Sequence, residues 1–221
     1  MISLRDICRV YHTRSGPRMV LKGVDFDIHK GCRYGVLGRN GSGKSTLLRI
    51  VGGTEPPTSG SIVRQMTVSW PLAFTGAFQG SLTGVDNVKF VSRIYGVNPL
   101  SIMPFIEDFT EIGAYLREPL KTYSSGMRAR LAFAISMAIE FDCFLIDEVI
   151  AVGDSRFHEK CRHELFVKRR DRALVIVSHD PHLVQTYCDE ALVLTDGRMT
   201  RFEHMSDAYD FYQRADAAIQ G

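Results

Sequence analysis

Hydrophobic and polar residues alternate near the start of the chain. Ile2 and Leu4 open one apolar run, and Val24, Phe26 and Ile28 alternate with polar residues before a turn. A period of two places the apolar side chains on one face of a strand. The sequence therefore predicts that the chain opens with antiparallel β-sheet.

The pattern then changes to short apolar runs that alternate with helical spacing. Residues 33–37 are typical of a short buried strand, and residues 45–51 have the spacing of a helix, with a glycine-rich loop between them. Alternating strands and helices predict a parallel sheet that is covered on both faces. The further predicted strands are residues 61–68, 143–146 and 174–177, and the further predicted helices are residues 126–139, 155–169 and 181–187.

Residues 80–120 follow a helical pattern of their own. Val88, Val91, Ile94 and Tyr95 fall on one face of a predicted helix. Such a stripe is typical of an amphipathic helix. The sequence therefore predicts a helical insert over this segment.

Two local signals predict how the chain continues to its end. Asp196-Gly197 lies between two apolar runs and is typical of the turn of a β-hairpin. Ser206 is a suitable N-cap for a final helix that carries Tyr209 and Phe211. The sequence therefore predicts a hairpin followed by a helix.

The composition is that of a folded globular protein. Of 221 residues, 45% are hydrophobic and 24% are charged, which excludes disorder and coiled coil. The formal net charge of +2 is too small for a general electrostatic grip on nucleic acid, so we expect no nucleic-acid partner. Arg5 and Asp6 interrupt the N-terminus before a signal peptide can develop, and the five cysteines show no CxxC spacing. These features predict a cytosolic chain with reduced thiols.

The glycine-rich loop carries the strongest chemical signal. Residues 38–45 match the pattern GxxxxGK(S/T) and lie between a buried strand and a helix, where that motif must lie to bind phosphate. The backbone amides of such a loop and the helix dipole attract phosphate oxygens. A flexible glycine turn is the alternative interpretation, but the flanking elements favour a nucleoside triphosphate site. The predicted binding residues are Gly38, Asn40, Gly41, Ser42, Gly43, Lys44 and Ser45, with Lys44 on the β and γ phosphates and Ser45 on Mg²⁺.

Two carboxylates follow a later apolar strand. Asp147 and Glu148 come directly after residues 143–146. By itself this pattern is equally typical of a strand that reaches the surface. After a phosphate loop, however, one carboxylate at a strand tip can hold a metal ion and its neighbour can activate the attacking water. We therefore expect Asp147 to hold Mg²⁺ and Glu148 to act as the general base.

A segment of serine and glycine distinguishes between classes of P-loop protein. Residues 123–128 are Tyr-Ser-Ser-Gly-Met-Arg and lead into the helix that precedes the acidic strand. The serines could simply cap that helix, with Gly126 allowing close packing. A helix N-terminus with hydroxyl groups and bare backbone can also hold a phosphate. Ser124, Ser125 and Gly126 are therefore candidate nucleotide-binding residues.

Together these motifs resemble the nucleotide-binding subunit of ABC transporters. Residues 38–46 and 123–128, Asp147-Glu148, Gly153-Asp154 and Ser178-His179 occur in that family's order and spacing, over nearly the whole chain. The resemblance implies an α/β fold with a P-loop ABC ATPase core, a small antiparallel β subdomain and an α-helical subdomain.

The resemblance also implies an organisation. Residues 1–221 would form a single nucleotide-binding domain, with its catalytic core at about 1–79 and 121–221 and its helical subdomain at about 80–120. Two copies would dimerise head to tail around two ATP molecules, each between Lys44 of one copy and Ser125-Gly126 of the other.

Further roles follow from the same resemblance, residue by residue. Tyr11 stands where the family stacks an aromatic ring on adenine, and Thr46 completes the phosphate loop. His179 resembles the switch histidine that contacts the γ-phosphate, although a single histidine after a strand is commonly structural. Gly153-Asp154 resembles the loop that couples the two ATP sites. Gln79 is the best candidate for the glutamine that contacts the metal, yet it lies only three residues before Leu82, closer than the family pattern places it, and could equally be an ordinary loop residue.

Finer features resemble the ATPases that export bacterial surface polysaccharides, and the capsular branch especially. Residues 123–128 and 147–154, together with Ser69-Trp70-Pro71-Leu72 and Leu82-Thr83-Gly84, carry this likeness. It implies an integral membrane permease as partner, periplasmic and outer-membrane export partners, and a peripheral position on the cytoplasmic face of the inner membrane. The cargo would be a lipid-linked polysaccharide.

The motifs also leave alternatives open. An O-antigen or teichoic acid exporter shares them, and so does an ABC ATPase of DNA repair or translation, although such proteins usually carry two nucleotide domains or a long insertion. A P-loop kinase or GTPase would share residues 38–45 but would not require Ser125-Gly126 and His179.

Three aromatic residues fall in a predicted loop beside the helical insert. Trp70, Phe74 and Phe78 are most simply explained by core packing. The competing hypothesis, which rests on the resemblance, is a hydrophobic seat for a short helix of the membrane subunit.

Overall fold

The computed structural model describes residues 1–72, 78–147, 154–202 and 204–220, with side chains up to residue 215. Phe74, Glu148 and Gly153, which the sequence singles out, lie outside the described residues. The chain divides into two units. The sheet unit comprises Met1–Pro71, Phe141–Glu148 and Arg170–Gly221, and the helical unit comprises Leu72–Glu140 and Val149–Arg169.

The elements alternate along the chain largely as the hydrophobic pattern predicts. The strands are β1 Ile2–Thr13, β2 Gly16–Ile28, β3 Arg33–Leu37, β4 Ser59–Arg64, β5 Val68–Pro71, β6 Cys143–Asp147, β7 Ala173–Ser178, β8 Glu190–Thr195 and β9 Arg198–Phe202. The helices are α1 Lys44–Val51, α2 Gly84–Ile94, α3 Pro99–Thr110, α4 Ser125–Ala138, α5 Ser155–Arg162, α6 Pro181–Tyr187 and α7 Met205–Gln220, with 3₁₀ turns at Gly113–Arg117 and Leu120–Thr122.

The larger sheet of the sheet unit confirms the predicted α/β fold. Its strand order is β5-β6-β7-β3-β8-β9, and all neighbours are parallel except β8 and β9. Every residue of β7 is buried, and β3 is buried from Tyr34 to Leu37. Parallel strands are covered on both faces, which is why they occur as unbroken apolar runs in the sequence.

The smaller sheet confirms the predicted antiparallel opening. Its order is β2-β1-β4, and β1 pairs with β2 so that Ile2 faces Ile28 and Leu4 faces Phe26. These four side chains are buried and belong to the main hydrophobic core of the sheet unit. The alternation in the sequence therefore marks the face that packs on this core.

The prediction of one strand over residues 61–68 is wrong. The segment belongs to two strands in different sheets, because β4 pairs with β1 and β5 pairs with β6. Hydrogen bonds hold the chain where it passes from the smaller sheet to the larger one. Arg64 donates to the carbonyls of Ile50 and Val51 at the end of α1, and Thr67 donates to the carboxylate of Asp142 just before β6. The polar groups that separate the two strands are satisfied by long-range partners, which local periodicity does not reveal.

The hairpin prediction is confirmed, but the predicted helix cap is wrong. Asp196 and Gly197 have φ values of 49° and 77°, as a type I′ turn requires, and they join β8 to β9. The last helix already begins at Met205, and the amide of Ala208 donates to the carbonyl of His204. Ser206 therefore lies in the first turn of α7 and bonds to Asp207 instead of capping the helix.

The helical unit extends beyond the insert expected at residues 80–120. It also contains α4 and α5, because its core is built from aromatic rings of three helices. Phe109 stacks on Phe133 at 5.8 Å between ring centroids and meets the edge of Phe157 at 5.2 Å. On α2, Val88 and Val91 are buried as predicted, whereas Ile94 and Tyr95 are exposed, since the buried stripe of this helix ends at Ser92.

The helix predicted over residues 155–169 is shorter in the structure. α5 ends at Arg162, and a π-helical turn follows at His163–Val167. Glu164 is buried there and pairs with Lys168 and Arg169. The basic residues after the helix thus neutralise a buried carboxylate, which is a structural role.

Trp70 lies in β5 and not in a loop. Its ring meets the edge of Phe141 at 5.5 Å between centroids. This contact favours the core-packing interpretation for Trp70. Among the residues that the structure describes, no helix is both long and apolar enough to cross a bilayer.

The hairpin turn generates a stability prediction. Gly197 and Gly31 have nearly the same left-handed backbone, with φ of +77° and +76°, where alanine costs about 1–2 kcal/mol. An added Cβ would lie 2.4 Å from the carbonyl oxygen of Val20 at position 197, but 3.7 Å from its nearest neighbour at position 31. We therefore expect Gly197→Ala to lower the free energy of unfolding by about 1–3 kcal/mol more than Gly31→Ala, measured by urea unfolding. Equal losses for the two variants would contradict the tight contact between the hairpin and β2.

Candidate functional site

The phosphate loop connects the central strand β3 to α1, as the sequence predicts. Gly41 and Gly43 have φ values of +84° and +109°, and Gly43 is the N-cap of α1. L side chains rarely adopt these angles, so glycine is required for the loop to turn into the helix. The loop therefore ends at a helix N-terminus, whose first backbone amides have no partner within a helix and are suited to bind phosphate oxygens.

The start of the loop has no room for a side chain. A Cβ on Gly38 would lie 2.6 Å from the carbonyl oxygen of Leu194 in β8 and 2.6 Å from Oγ of Ser42. The Ser42 hydroxyl is itself buried and has no hydrogen-bond partner within the described part of the chain. A polar group held in this way suits a loop that completes its hydrogen bonds with a ligand.

Lys44 is the first residue of α1 and is only 5% exposed. Its ammonium donates hydrogen bonds to the carbonyl oxygens of Gly38, at 2.6 Å, and Arg39, at 3.1 Å. The Lys44 side chain is therefore folded back onto the backbone at the start of the phosphate loop. A charge-assisted hydrogen bond from this ammonium to a phosphate would be among the stronger polar contacts available to the site.

One cavity gathers most of the residues predicted to bind the nucleotide. Its volume is about 540 Å³. It brings together an aromatic ring, an ammonium group, three aliphatic hydroxyls and a carboxylate, all within the sheet unit. The predicted site residues that line it are Tyr11, Asn40, Gly41, Gly43, Lys44, Ser45, Thr46 and Asp147. Four further residues that the sequence does not single out complete the lining, namely Thr13, Arg18, Val20 and Arg39.

The predicted metal ligands of the sheet unit line this same cavity. Asp147 is the last residue of β6, and Ser45 is an exposed residue in the first turn of α1. A hydroxyl and a carboxylate are oxygen ligands of the kind that Mg²⁺ prefers. The donor set therefore fits Mg²⁺, although the assignment of each ligand stays a prediction. Glu148, the predicted general base, lies outside the described residues.

His179 follows β7 directly, at the edge of the sheet that also carries the phosphate loop and Asp147. Register places Ser178 beside Leu37, and Val177 beside Asp147. The carboxyl ends of these parallel strands form the edge at which open α/β sheets bind ligands. The hydroxyl of Tyr212 in α7 donates to the carbonyl oxygen of His179 at 3.4 Å. The contact of His179 with a γ-phosphate stays a prediction.

The serine and glycine segment lies in the helical unit, at the beginning of α4. Ser124 caps the helix, because its Oγ accepts a hydrogen bond from the amide of Met127 at 3.2 Å. Ser124 and Ser125 are exposed. Among the described residues, and apart from the local helix backbone, the nearest atom to an alanine Cβ at position 126 would be Ser124 Oγ, at 3.9 Å. The capping role that the sequence allows is therefore real for Ser124, while Ser125 and Gly126 leave backbone open at the helix N-terminus.

The segment is held in place by its neighbours. The Tyr123 hydroxyl donates to the carbonyl of Tyr115 at 2.5 Å, and burial raises the pKa of Tyr123 to about 12. Arg128 donates to the carbonyl of Tyr123 at 2.7 Å. These bonds fix the backbone that leads into α4.

Gln79 is exposed and belongs to the helical unit. Its amide donates to Asn87 Oδ1 at 3.0 Å, and Nδ2 of Asn87 donates back to the Gln79 carbonyl at 3.2 Å. Its own side chain bonds to Ser81. These contacts are those of an ordered loop before α2, and a role for Gln79 at the metal stays a prediction.

Some contacts of interest escape reasoning from sequence. Asp154 caps α5 and pairs with Arg130 of α4 at 2.8 Å, so the residue after Gly153 is tied to the helix that begins at Ser125. In the sheet unit, Glu55 bonds to Tyr11 and to two arginines. The only local signal for Glu55 is its place in the turn after α1, which does not reveal a partner in β1.

Comparison with known proteins agrees with this geometry. The chain matches the family model described as ABC transporter over residues 21–151. It is 58% identical over 212 residues to the ATP-binding protein BexA of Haemophilus influenzae, covering 96% of this chain and 98% of that protein. The same figures hold for the capsule polysaccharide export ATP-binding protein CtrD of Neisseria meningitidis serogroup B. The chain belongs to the ABC transporter family.

A solved structure supports the fold independently of close sequence similarity. The ATP-binding cassette MJ0796, in a dimeric post-hydrolysis state bound to ADP and Pi, superimposes with a TM-score of 0.76 at 21% identity. The match covers 92% of this chain and all of that one. The fold is therefore that of an ATP-binding cassette.

Proposed function

We propose that this chain is the ATP-hydrolysing subunit of an ABC exporter that moves a capsular, lipid-linked polysaccharide across the inner membrane. The observation that carries the ATPase assignment is the cavity of the sheet unit, where Lys44, Ser45 and Asp147 meet at the loop between β3 and α1. The cargo rests on the 58% identity to CtrD, a capsule polysaccharide export ATP-binding protein, over 98% of that protein.

Each group in the site has a part in phosphoryl transfer to water. Amides of the phosphate loop and the ammonium of Lys44 bind the β and γ phosphates and stabilise the charge that develops in the transition state. Ser45, Asp147 and, on the family's pattern, Gln79 would hold Mg²⁺, which neutralises phosphate charge when bound. Glu148 takes a proton from the water that attacks the γ-phosphate, and His179 contacts that phosphate.

A second copy of the chain completes each site. Ser125 is exposed and Gly126 is half-buried at the N-terminus of α4, and a helix N-terminus attracts the phosphates of ATP held by the partner's loop. The dimeric state of the cassette MJ0796 supports this arrangement. ATP thus joins two protomers, and hydrolysis separates them.

The dimer acts on a membrane permease. Closing and opening of the ATP-bound dimer on the cytoplasmic face of the inner membrane drives the permease, and periplasmic and outer-membrane partners carry the polysaccharide onward. The ATPase subunit need not contact the polysaccharide, so the residues of the nucleotide cavity do not indicate which sugars are exported.

Glu148→Gln tests the chemistry. Loss of a general base is expected to slow ATP turnover by about 10²–10⁴-fold while ATP binding is retained, because the substitution removes a proton acceptor and leaves the phosphate loop intact. Steady-state hydrolysis and equilibrium ATP binding measure the two effects. Glu159→Gln is a matched control, since Glu159 is an exposed residue of α5 paired with Arg162. Near-normal turnover of Glu148→Gln would remove Glu148 from this role.

Deletion of the gene tests the cargo. Cells without this chain are expected to lose surface capsule and to accumulate the polysaccharide inside, because synthesis continues while export stops. The wild-type gene restores surface capsule, and a Glu148→Gln allele does not. An unchanged capsule in the deletion strain, with loss of O-antigen or teichoic acid instead, would contradict the capsular assignment.

A further inference from the structure

Four side chains form a connected group beside the cavity of the sheet unit. This group, the Tyr11 cluster, consists of Arg9 and Tyr11 in β1, Arg49 in α1, and Glu55 in the turn that follows α1. The Tyr11 hydroxyl donates to Glu55 Oε1 at 2.6 Å and accepts from Nη2 of Arg49 at 3.2 Å. Tyr11 also lines the cavity, so the cluster reaches the nucleotide site through this one ring.

Glu55 is the centre of the Tyr11 cluster. Its carboxylate pairs with Nε of Arg9 at 2.7 Å and with Nε of Arg49 at 2.8 Å, and its side chain is only 13% exposed. Burial by itself raises the pKa of a carboxyl group, but hydrogen bonds from Tyr11 and Arg49 and the nearby charge of Arg9 hold the pKa of Glu55 below its ordinary value. Glu55 is therefore an ionised acceptor for the phenol.

Arg9 restricts the ring in a second way. Its guanidinium carbon lies over the Tyr11 ring, 4.8 Å from the ring centroid, which is the geometry of a cation–π contact. An aromatic ring has two faces, and Arg9 covers one of them. Arg9 is itself held by Glu55 and by a bond to the carbonyl of Pro56 at 3.0 Å.

We propose that Glu55 is a positioning residue for the nucleotide base: it anchors the Tyr11 hydroxyl and Arg9 together, so that the face of the ring opposite Arg9 is presented to the adenine of ATP. The proposal rests on the proposed ATPase function and on the stacking role of Tyr11. A ring held by its hydroxyl and covered on one face loses little freedom when a base stacks on the other, and such preorganisation increases affinity. Thr46, whose Oγ1 lies 3.3 Å from the Tyr11 hydroxyl, links the cluster to the phosphate loop.

The test compares a ligand that has a base with one that has none. Binding of Mg-ATP and of magnesium tripolyphosphate is measured by calorimetry on the full chain, together with KM and kcat for ATP. Tyr11→Phe removes only the anchored hydroxyl and keeps both ion pairs of Glu55, so it folds even if Glu55→Ala does not. Tyr11→Ala removes the ring, and Glu190→Ala is a control that breaks another carboxylate–arginine pair of the sheet unit, with Arg201 at 2.7 Å.

We expect Tyr11→Ala to raise the Kd and KM for ATP by roughly tenfold or more, and Tyr11→Phe and Glu55→Ala to raise them by roughly threefold to tenfold. Tripolyphosphate affinity stays within about twofold, as does kcat at saturating ATP, and Glu190→Ala changes neither ligand. Equal weakening of ATP and tripolyphosphate by Glu55→Ala would show a merely structural role and overturn the proposal.

Two further outcomes distinguish failure of this proposal from failure of the proposed ATPase function on which it depends. If Tyr11→Ala weakens ATP binding but Tyr11→Phe and Glu55→Ala do not, the ring contacts the base without help from Glu55, and only the positioning role is overturned. If the wild-type chain neither binds nor hydrolyses ATP, the proposed function fails and this proposal fails with it.

Discussion

The loop between β3 and α1 closes because Gly38 has no side chain, and the site depends on that closure. A Cβ at this position would collide with the backbone of β8 and with Ser42. Because the loop passes so close to the sheet, the ammonium of Lys44 reaches back to the Gly38 carbonyl, and the first turn of α1 borders the same cavity as Asp147. The chemistry of the site therefore follows from close packing at one glycine in the centre of a parallel sheet.

Much of this arrangement is predictable from the chain itself. Buried parallel strands occur as unbroken apolar runs, so the boundaries of β3, β6 and β7 follow from the hydrophobic pattern to within a residue. The polar residues that come after such strands must gather at one edge of the sheet. For this reason the sequence alone is enough to assign the motif at residues 38–45 and the carboxylate of Asp147 to one site.

The rest depends on contacts that local patterns do not contain. The single strand predicted over residues 61–68 is divided between β4 and β5, because Arg64 and Thr67 bond to partners at the end of α1 and before β6. Glu55 accepts a hydrogen bond from Tyr11, which lies 44 positions earlier in the sequence. Nothing in the sequence around either residue indicates that the two are in contact. The roles of Glu148, Gln79 and His179 likewise come from family resemblance, since a general base, a metal contact and a phosphate contact are defined by a bound nucleotide.

Mixing two inactive variants tests most directly whether protomers complete each other's sites. Lys44→Ala removes the proposed phosphate contact and Ser125→Glu places a negative charge where the partner's phosphate would bind, so each variant alone is expected to be inactive. In a mixed dimer one site combines Lys44 and Glu148 of one protomer with Ser125 of the other, and ATP hydrolysis should return. A mixture of Lys44→Ala with Glu148→Gln is the matched control and should stay inactive, because both changes affect the same side of the interface. Failure of the first mixture to recover any activity, with the wild type active under the same conditions, would contradict the shared-site account.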